Sequence, residues 1–538
     1  MTAHNKISAI LFSLLLITIT HTGCRKGWLD VNYNPGELTD SLATPDLVLP
    51  SLLDEWTAAS GMDFKVNFNG LLNQWMGYWC EPLASPGNSA QTYNIVTTSW
   101  SCNPRISPLL LENKARRTNQ TFYEGIARII QALTWSRNVD VLNNIPYREA
   151  FKQHITQPKY DKGQFIYEEL MKQLDTSIHL IKNAALDKNL RITTADIMFH
   201  GDKGKWVRFA NTLKLRLLVH QANRPERTAY IQKEIDKILA EGSGFLNSGE
   251  DASVNPGYNE QQQSLLYQVY CRHNIYAFFW YAASANIVGL NFLKENNDPR
   301  LGFFYAPVQM SVPAGAPEPF SQPGPLEYRG NKFGLPVNEA EYQHQGALYV
   351  SQAGSIAAHG PVTPSSSGIF KGYNMNDWIM TSIESLFLQA EAVQRGWIPG
   401  DAELAYKNAV RESFRWLNVG GNSTLPELSD AVFNEWYNDQ VDNGNPYVSW
   451  PDAPNKYKLL MFQKYLAFNG IEPFETWVDY RRNNAYPGIP LSADPGRVAD
   501  VMPVRMPYQE LEYINNAENV KQQGVINIFT SKIWWMPD

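Results

Sequence analysis

Apolar residues at helical spacing recur along most of this 538-residue chain, and this spacing constrains the fold more than any other feature. The clearest run places Phe122, Ile126, Ile129, Ile130 and Leu133 on one face of a helix. Similar patterns predict further helices over residues 166–181, 206–217, 379–394, 401–417 and 456–466. Strand signals are few and short. The chain is therefore predicted to be mainly α.

Short turns separate several of the predicted helices, which indicates antiparallel hairpins stacked in the manner of tetratricopeptide repeats. No clean 34-residue sequence period is present, so the repeat is expected in the structure rather than in the sequence. Residues 306–367, which are dense in proline, glycine and serine, and residues 419–455 are predicted to be long irregular loops. Asp161 is predicted to cap the helix over 166–181.

The N-terminus resembles a bacterial secretory signal. Lys6 precedes an apolar run over residues 7–20, and the small pair Thr22-Gly23 stands directly before Cys24. A cysteine at this place is the acceptor of a lipid anchor, although His21 departs from the leucine-like residue usual three positions earlier. The alternative is an ordinary signal peptide with an incidental cysteine. We expect a lipoprotein signal peptide over 1–23 and a single domain over 24–538.

Composition excludes some functions. A formal net charge of −7 with interspersed charges argues against nucleic-acid binding. Aromatic residues make up 12% of the chain, which is compatible with carbohydrate or peptide binding, although a large core explains much of it.

Besides Cys24 there are Cys80, Cys102 and Cys271. Free, buried thiols are favoured for these three residues, and a disulfide between Cys80 and Cys102 is the alternative.

The sequence contains no pattern that is specific for catalysis. Histidines are scattered without metal-ligand spacing, and no nucleophile elbow or phosphate loop is complete. A carboxylate pair of the glycosidase type stays open, since its partners need not be neighbours in sequence. We therefore expect a binding protein without metal or cofactor rather than an enzyme.

Two aromatic clusters have the composition of a sugar-binding surface, in which flat rings cover the apolar face of a pyranose. The first contains Trp75, Tyr78 and Trp79, and the second contains Trp280 and Tyr281. Trp378 marks a third candidate. The alternative for these clusters is core packing, because aromatic runs at helical spacing usually face inward.

An ordered series of short segments carries a resemblance to a known family. The segments are Cys24, Trp28-Leu29-Asp30-Val31-Asn32, Asn34-Pro35, Ile145-Pro146-Tyr147-Arg148-Glu149-Ala150-Phe151, Gly201-Asp202, Lys205-Trp206, Asp298-Pro299-Arg300-Leu301, Ala390-Glu391-Ala392, Glu475-Thr476-Trp477 and Pro503-Val504-Arg505-Met506-Pro507-Tyr508. In this order they resemble the SusD/RagB-like outer-membrane lipoproteins, and the start resembles the branch with Asn-x-Asn-Pro.

The resemblance implies a lipid-anchored nutrient-binding protein of the outer membrane, exposed at the cell surface. Such a protein partners a SusC-like TonB-dependent transporter and binds an oligosaccharide or a peptide. It also implies a helical fold with an irregular ligand-facing side, and packing roles for Trp206 and Arg505. Two alternatives remain: a secreted glycan-active enzyme, and a structural lid of the transporter that binds no ligand strongly. The sequence does not separate glycan from peptide.

Overall fold

Helices begin and end close to the limits that the apolar periodicity predicts. The computed structural model describes residues 43–57, 68–80, 89–95, 107–271, 283–308, 328–334, 350–354, 367–421 and 426–538. The predicted leader 1–23 and Cys24 lie outside these ranges, and so do Cys102, Trp280 and Tyr281.

The described part of the chain is mainly helical. Its first helices are α1 (Pro45–Thr57), α2 (Asn69–Trp75), α3 (Ser89–Thr92), α4 (Ser107–Arg117), α5 (Thr121–Leu142), α6 (Gly163–Lys182), α7 (Ile192–Ala195), α8 (Lys203–His220) and α9 (Thr228–Glu241). They are followed by α10 (Leu265–Cys271), α11 (Ile287–Glu295), α12 (Leu301–Phe304), α13 (Ser382–Gln394), α14 (Ala402–Leu417), α15 (Pro426–Asp442), α16 (Lys456–Ala467), α17 (Pro473–Arg482), α18 (Glu510–Asn515) and α19 (Ala517–Lys521). Two short 3₁₀ helices span Leu186–Lys188 and Pro225–Arg227.

Strands in the described ranges are short and pair in twos. They are β1 (Trp79–Cys80), β2 (Ile145–Pro146), β3 (Tyr160–Asp161), β4 (Ala252–Val254), β5 (Ser284–Ala285) and β6 (Asp377–Met380). The antiparallel pairs are β1 with β5, β2 with β3, and β4 with β6. The predicted mainly α class with few strands is confirmed.

Helix starts are fixed by side chains that accept a hydrogen bond from the first turn. Asp202 accepts from the Lys205 amide at the start of α8, and Asp401 accepts from the Leu404 amide at the start of α14. Each of these bonds satisfies one of the unpaired N–H groups at a helix N-terminus. At the C-terminal end of α13, Gly396 has a φ of 72°, a left-handed conformation that stops the helix.

Two predictions about local structure were wrong. Residues 419–455 were predicted to be an irregular loop, but they contain the helix α15. Its buried side chains include Phe433 and Trp436, and the many polar residues around them hide the helical spacing in the sequence. Asp161 does not cap α6. Its carboxylate instead accepts hydrogen bonds from the main-chain N–H and the Nε of Arg148, at 2.8 and 2.7 Å.

Consecutive helices pack on one another, as expected for stacked hairpins. Contacts join α4 to α5, α5 to α6, α13 to α14, and α14 to α15, while α8 packs on both α6 and α13. Residues Pro45–Asp538 form one compact unit. Among the described residues, no helix combines the length and the apolar composition that crossing a membrane requires.

Buried ion pairs join helices that are far apart in sequence. Arg216 of α8 donates through Nε and Nη2 to the two carboxylate oxygens of Glu384 in α13, both at 2.6 Å. Arg482 of α17 forms the same two-bond geometry with Glu391 of α13, at 2.7 and 2.6 Å. All four side chains are buried, so their charges need compensation within the protein. Asp479 also pairs with Arg482, and Arg395 also pairs with Glu391.

His220 extends this network towards the C-terminal segment. Its Nε2 lies 2.9 Å from Glu475 Oε2, and its Nδ1 lies 3.0 Å from the Tyr167 hydroxyl, which donates to Asp140. Burial opposes protonation of the imidazole, but Glu475 and Asp140 outweigh it and raise the pKa of His220 to about 9. The ring is therefore a buried cation at neutral pH.

We expect Arg216→Met to lower the free energy of unfolding by about 3–5 kcal/mol, because it leaves the Glu384 carboxylate buried without its cation. The matched control is Lys172→Met, which removes the exposed Lys172–Glu169 pair and should cost less than about 1 kcal/mol. Urea denaturation of both variants measures the difference. Equal losses would contradict the role of Arg216.

His220 should also make stability depend on pH. Because its pKa is raised in the folded state to about 9, its contribution is complete below about pH 6.5 and disappears as the pH rises through about 9. The loss is on the order of 3 kcal/mol. His220→Gln should flatten the decline of the melting temperature over this range, whereas the exposed His179→Gln should preserve it.

Candidate functional site

A cavity lies where α2, β1, α5, α10, β6 and the turn before α17 meet. It encloses about 450 Å³, including the part open to solvent. Its lining residues are Asn69, Asn73, Trp79, Arg137, Leu266, Tyr270, Phe370, Trp378, Ile379, Gly470, Ile471 and Glu472. We call it the Trp79 cavity. The space inside it that a water-sized sphere can occupy is about 20 Å³, which is room for about one water molecule or one hydroxyl group.

Aromatic rings form the walls of the Trp79 cavity. Trp79 meets Tyr270 edge to face, with ring centroids 5.1 Å apart, and Tyr270 stacks on Phe370 at 5.4 Å. Trp378 is held from behind, because its Nε1 donates to the main-chain oxygen of Ile471 at 3.1 Å. Its ring also packs perpendicular to Trp416, at 5.3 Å. These contacts fix the rings that line the cavity.

Gly470 allows the Trp79 ring to lie against the main chain. Its φ of 72° is in the left-handed region, and a Cβ added there would come within 2.9 Å of both Trp79 and Ile369. Any other residue would push the indole ring out of place, so this position requires glycine.

Polar atoms on the same walls lack partners among the described residues. They are the indole N–H of Trp79, the amide oxygens of Asn69 and Asn73, and one carboxyl oxygen, Oε1, of Glu472. Asn73, Trp79 and Glu472 are almost completely buried. A buried polar group without a hydrogen bond costs about 1–3 kcal/mol. The fold therefore retains several groups here that a ligand or water could satisfy.

Charge at the cavity is nearly balanced. Burial lowers the pKa of Arg137 to about 10, with a further contribution from Arg216, while Glu472 and Glu475 oppose the change. Burial raises the pKa of Glu472 well above 4.5, and the nearby Glu384 adds to this, against the effect of Arg216 and Arg137. The carboxyl group of Glu472 is consequently biased towards its neutral form, in which it can donate as well as accept a hydrogen bond.

Two of the predicted ligand-binding residues come together in the cavity. Trp79 and Trp378 are distant in sequence but line the same space. Trp75 and Tyr78 do not line it. The Trp75 indole donates to the Ala90 carbonyl at 2.9 Å, and Tyr78 stacks on Tyr465 at 4.8 Å, both within the core. Ligand contact by Trp75 and Tyr78 stays a prediction.

The other predicted residues, Trp280 and Tyr281, lie outside the described ranges, and their role also stays a prediction. Sequence reasoning missed Arg137, Tyr270, Phe370 and Glu472. The i, i+4 spacing of Asn69 and Asn73 on α2 is the one local signal that could have marked the polar wall. Among the described residues, no cluster of His, Cys, Asp and Glu is placed to hold a metal ion.

The surroundings of Cys80 bear on the predicted buried thiols. The Cys80 thiol is buried and donates to the main-chain oxygen of Ala285 at 3.3 Å. Because Cys102 lies outside the described residues, pairing between the two is not assigned.

Solved structures share this fold. A SusD homologue from Bacteroides fragilis is 18% identical, has a TM-score of 0.70, and covers 92% of this chain and 100% of its own. A SusD-like protein from Bacteroides thetaiotaomicron is 19% identical with a TM-score of 0.66, covering 92% and 99%. A chitin-binding protein is 20% identical with a TM-score of 0.67, covering 92% and 100%. No curated protein matches the chain.

The sequence itself gives the family assignment. The SusD-like model whose description is "starch-binding associating with outer membrane" matches residues 51–509, which is most of the chain. The predicted resemblance is confirmed: the chain belongs to the SusD-like family.

Proposed function

We propose that this protein is a lipid-anchored nutrient-binding protein of the outer membrane that captures a neutral oligosaccharide at the mouth of the Trp79 cavity, into which one sugar hydroxyl group reaches. It passes the sugar to a TonB-dependent transporter and carries out no catalysis itself. The observation that carries this proposal is the convergence of aromatic rings and unpaired buried polar atoms on one cavity, in a chain of this family.

The hydrogen-bonding groups of the cavity favour a polyol. The amide oxygens of Asn69 and Asn73 can only accept, whereas the Trp79 indole can only donate. A sugar hydroxyl does both, so one class of ligand group satisfies all three. Trp79 and Trp378 line the same space, with 2% and 6% of their surfaces exposed.

The charge balance favours a neutral sugar over an acidic one. Glu472 prefers its neutral form in this surrounding, so it supplies hydrogen bonds rather than a charge to a ligand. Arg137 is the cation of the cavity lining, and the charge of Glu475 already acts on it. An acidic sugar would have to compete with Glu475 for Arg137.

Modest affinity suits capture followed by release. Dissociation constants from millimolar to micromolar correspond to about −4 to −8 kcal/mol. A lipid anchor at Cys24 would keep the captured sugar at high effective concentration beside the transporter.

Asn73→Leu should separate binding from stability. It removes an unpaired buried oxygen, so the free energy of unfolding should stay the same or rise by about 1 kcal/mol. Affinity for the oligosaccharide should fall about tenfold or more. Isothermal titration with maltoheptaose, chitohexaose, cellohexaose and xylohexaose, together with urea denaturation, measures both quantities.

Asn211→Leu is the matched control for this experiment. The Asn211 amide nitrogen donates to Glu241 at 2.8 Å and to the Gly244 carbonyl at 3.1 Å, and Asn211 does not line the cavity. This variant should lose stability and keep its affinity. Unchanged affinity in Asn73→Leu, or binding of none of the four probes by the native protein, would contradict the proposal.

Cys24→Ala should move the protein from the membrane fraction to the soluble fraction of its native host. The expected cause is the loss of acyl chains, each of which contributes about 0.8 kcal/mol per buried CH₂. Fractionation and the mass of the N-terminal peptide measure this, and affinity purification from solubilised outer membranes should recover a TonB-dependent transporter with the native protein. An unmodified Cys24 would overturn the lipid anchor.

A further inference from the structure

A second cavity lies on the other side of α5. The space in it that a water-sized sphere can occupy is about 190 Å³, and its lining residues are Pro108, Leu109, Gln131, Thr134, Trp135, Tyr147, Ala150 and Phe151. We call it the Phe151 groove. It shares no lining residue with the Trp79 cavity. Trp135 and Arg137, two positions apart on α5, differ by about 200° around the helix, so the helix separates the two spaces.

Three aromatic rings converge on this groove. Trp135 meets Tyr147 almost perpendicularly at 5.1 Å and Phe151 at 6.2 Å between ring centroids. The residues come from two elements, α5 and the turn after β2. Their mutual contacts hold the rings in fixed positions beside an open space.

The main chain at Phe151 is strained in a way that keeps its ring at the surface. Its φ is 59°, which for a residue with a Cβ costs about 1–2 kcal/mol, and its ring is 39% exposed. Glycine would relieve the strain. The contact with Trp135 covers part of the ring and leaves the exposed part facing the groove, where a ligand can reach it.

The polar groups of the groove accept hydrogen bonds. The Gln131 amide nitrogen is already committed to Glu112 at 2.7 Å, so the amide oxygen is the group that remains for a ligand. Among the described residues, the Tyr147 hydroxyl donates one long contact of 3.5 Å to Gln173 Oε1, and its oxygen can still accept a hydrogen bond. No charged side chain is among the eight lining residues of this described cavity.

We propose that the Phe151 groove is a second saccharide site, which takes one or two neutral pyranose rings. The aromatic rings cover the apolar face of a sugar, and its hydroxyl groups donate to Gln131 and Tyr147. An apolar protein segment fits less well, because it would bury these polar groups without partners. The proposal rests on the proposed function only for the class of ligand, since the two sites share no residue.

The test compares Phe151→Gly with Ala485→Gly in the full-length protein. Both replace a residue with a positive φ, 59° and 63°, so both relieve backbone strain, but only the first removes a ring from the groove. Isothermal titration with maltoheptaose and chitohexaose should give two equivalents of sugar per native chain. Phe151→Gly should weaken one class of sites about tenfold or more, and Ala485→Gly should weaken neither.

Crystals of the native protein grown with the same sugars locate the sites directly. Density in the Phe151 groove, and binding there that persists in Asn73→Leu, would support the proposal even if the Trp79 cavity binds nothing. One equivalent that is lost in Asn73→Leu and unchanged in Phe151→Gly would overturn the groove and leave the proposed function intact. A native protein that binds neither sugar, or a groove filled by a protein segment from a copurified partner, would also overturn it.

Discussion

The pairing of Arg216 with Glu384 is the interaction on which the arrangement of the central helices depends. Both side chains are buried, and the two 2.6 Å hydrogen bonds align the guanidinium and carboxylate planes. Such a pair adds little net stability when it is intact, yet breaking it leaves an isolated charge in the core. Its effect is therefore on geometry: α8 and α13 have one arrangement in which both charges are satisfied.

The same network reaches the Trp79 cavity. Arg216 also lies 3.6 Å from Glu475 in α17, and Glu472 at the start of that helix forms part of the cavity wall. Arg137 of α5 stands on the opposite wall and experiences the charges of Arg216, Glu472 and Glu475. The polar wall of the cavity is thus the edge of a buried charge network. These partly compensating charges explain how the fold holds Glu472 and Arg137 together in a buried wall.

The sequence predicts the helices and part of the site, and the division has a physical cause. Helices such as α5 and α14 are set by local periodicity and caps, which a sequence displays directly. Trp79 and Trp378 could be proposed from residue type, because flat rings are what a sugar surface needs. The roles of Arg137 and Glu472 could not, because each depends on charges that tertiary folding brings to it. Helix α15 was missed for a local reason: polar residues of the same segment separate its few apolar residues, so the helical spacing is hard to see in the sequence.

The two cavities differ in how deeply their polar and aromatic groups are buried, and therefore in the interactions that they offer to a ligand. In the Trp79 cavity the polar atoms are deep and have no partners among the described residues, so a sugar bound as proposed would gain chiefly from hydrogen bonds that these atoms do not already make. In the Phe151 groove the exposed ring is the main feature, so a sugar bound there as proposed would gain chiefly from contact area.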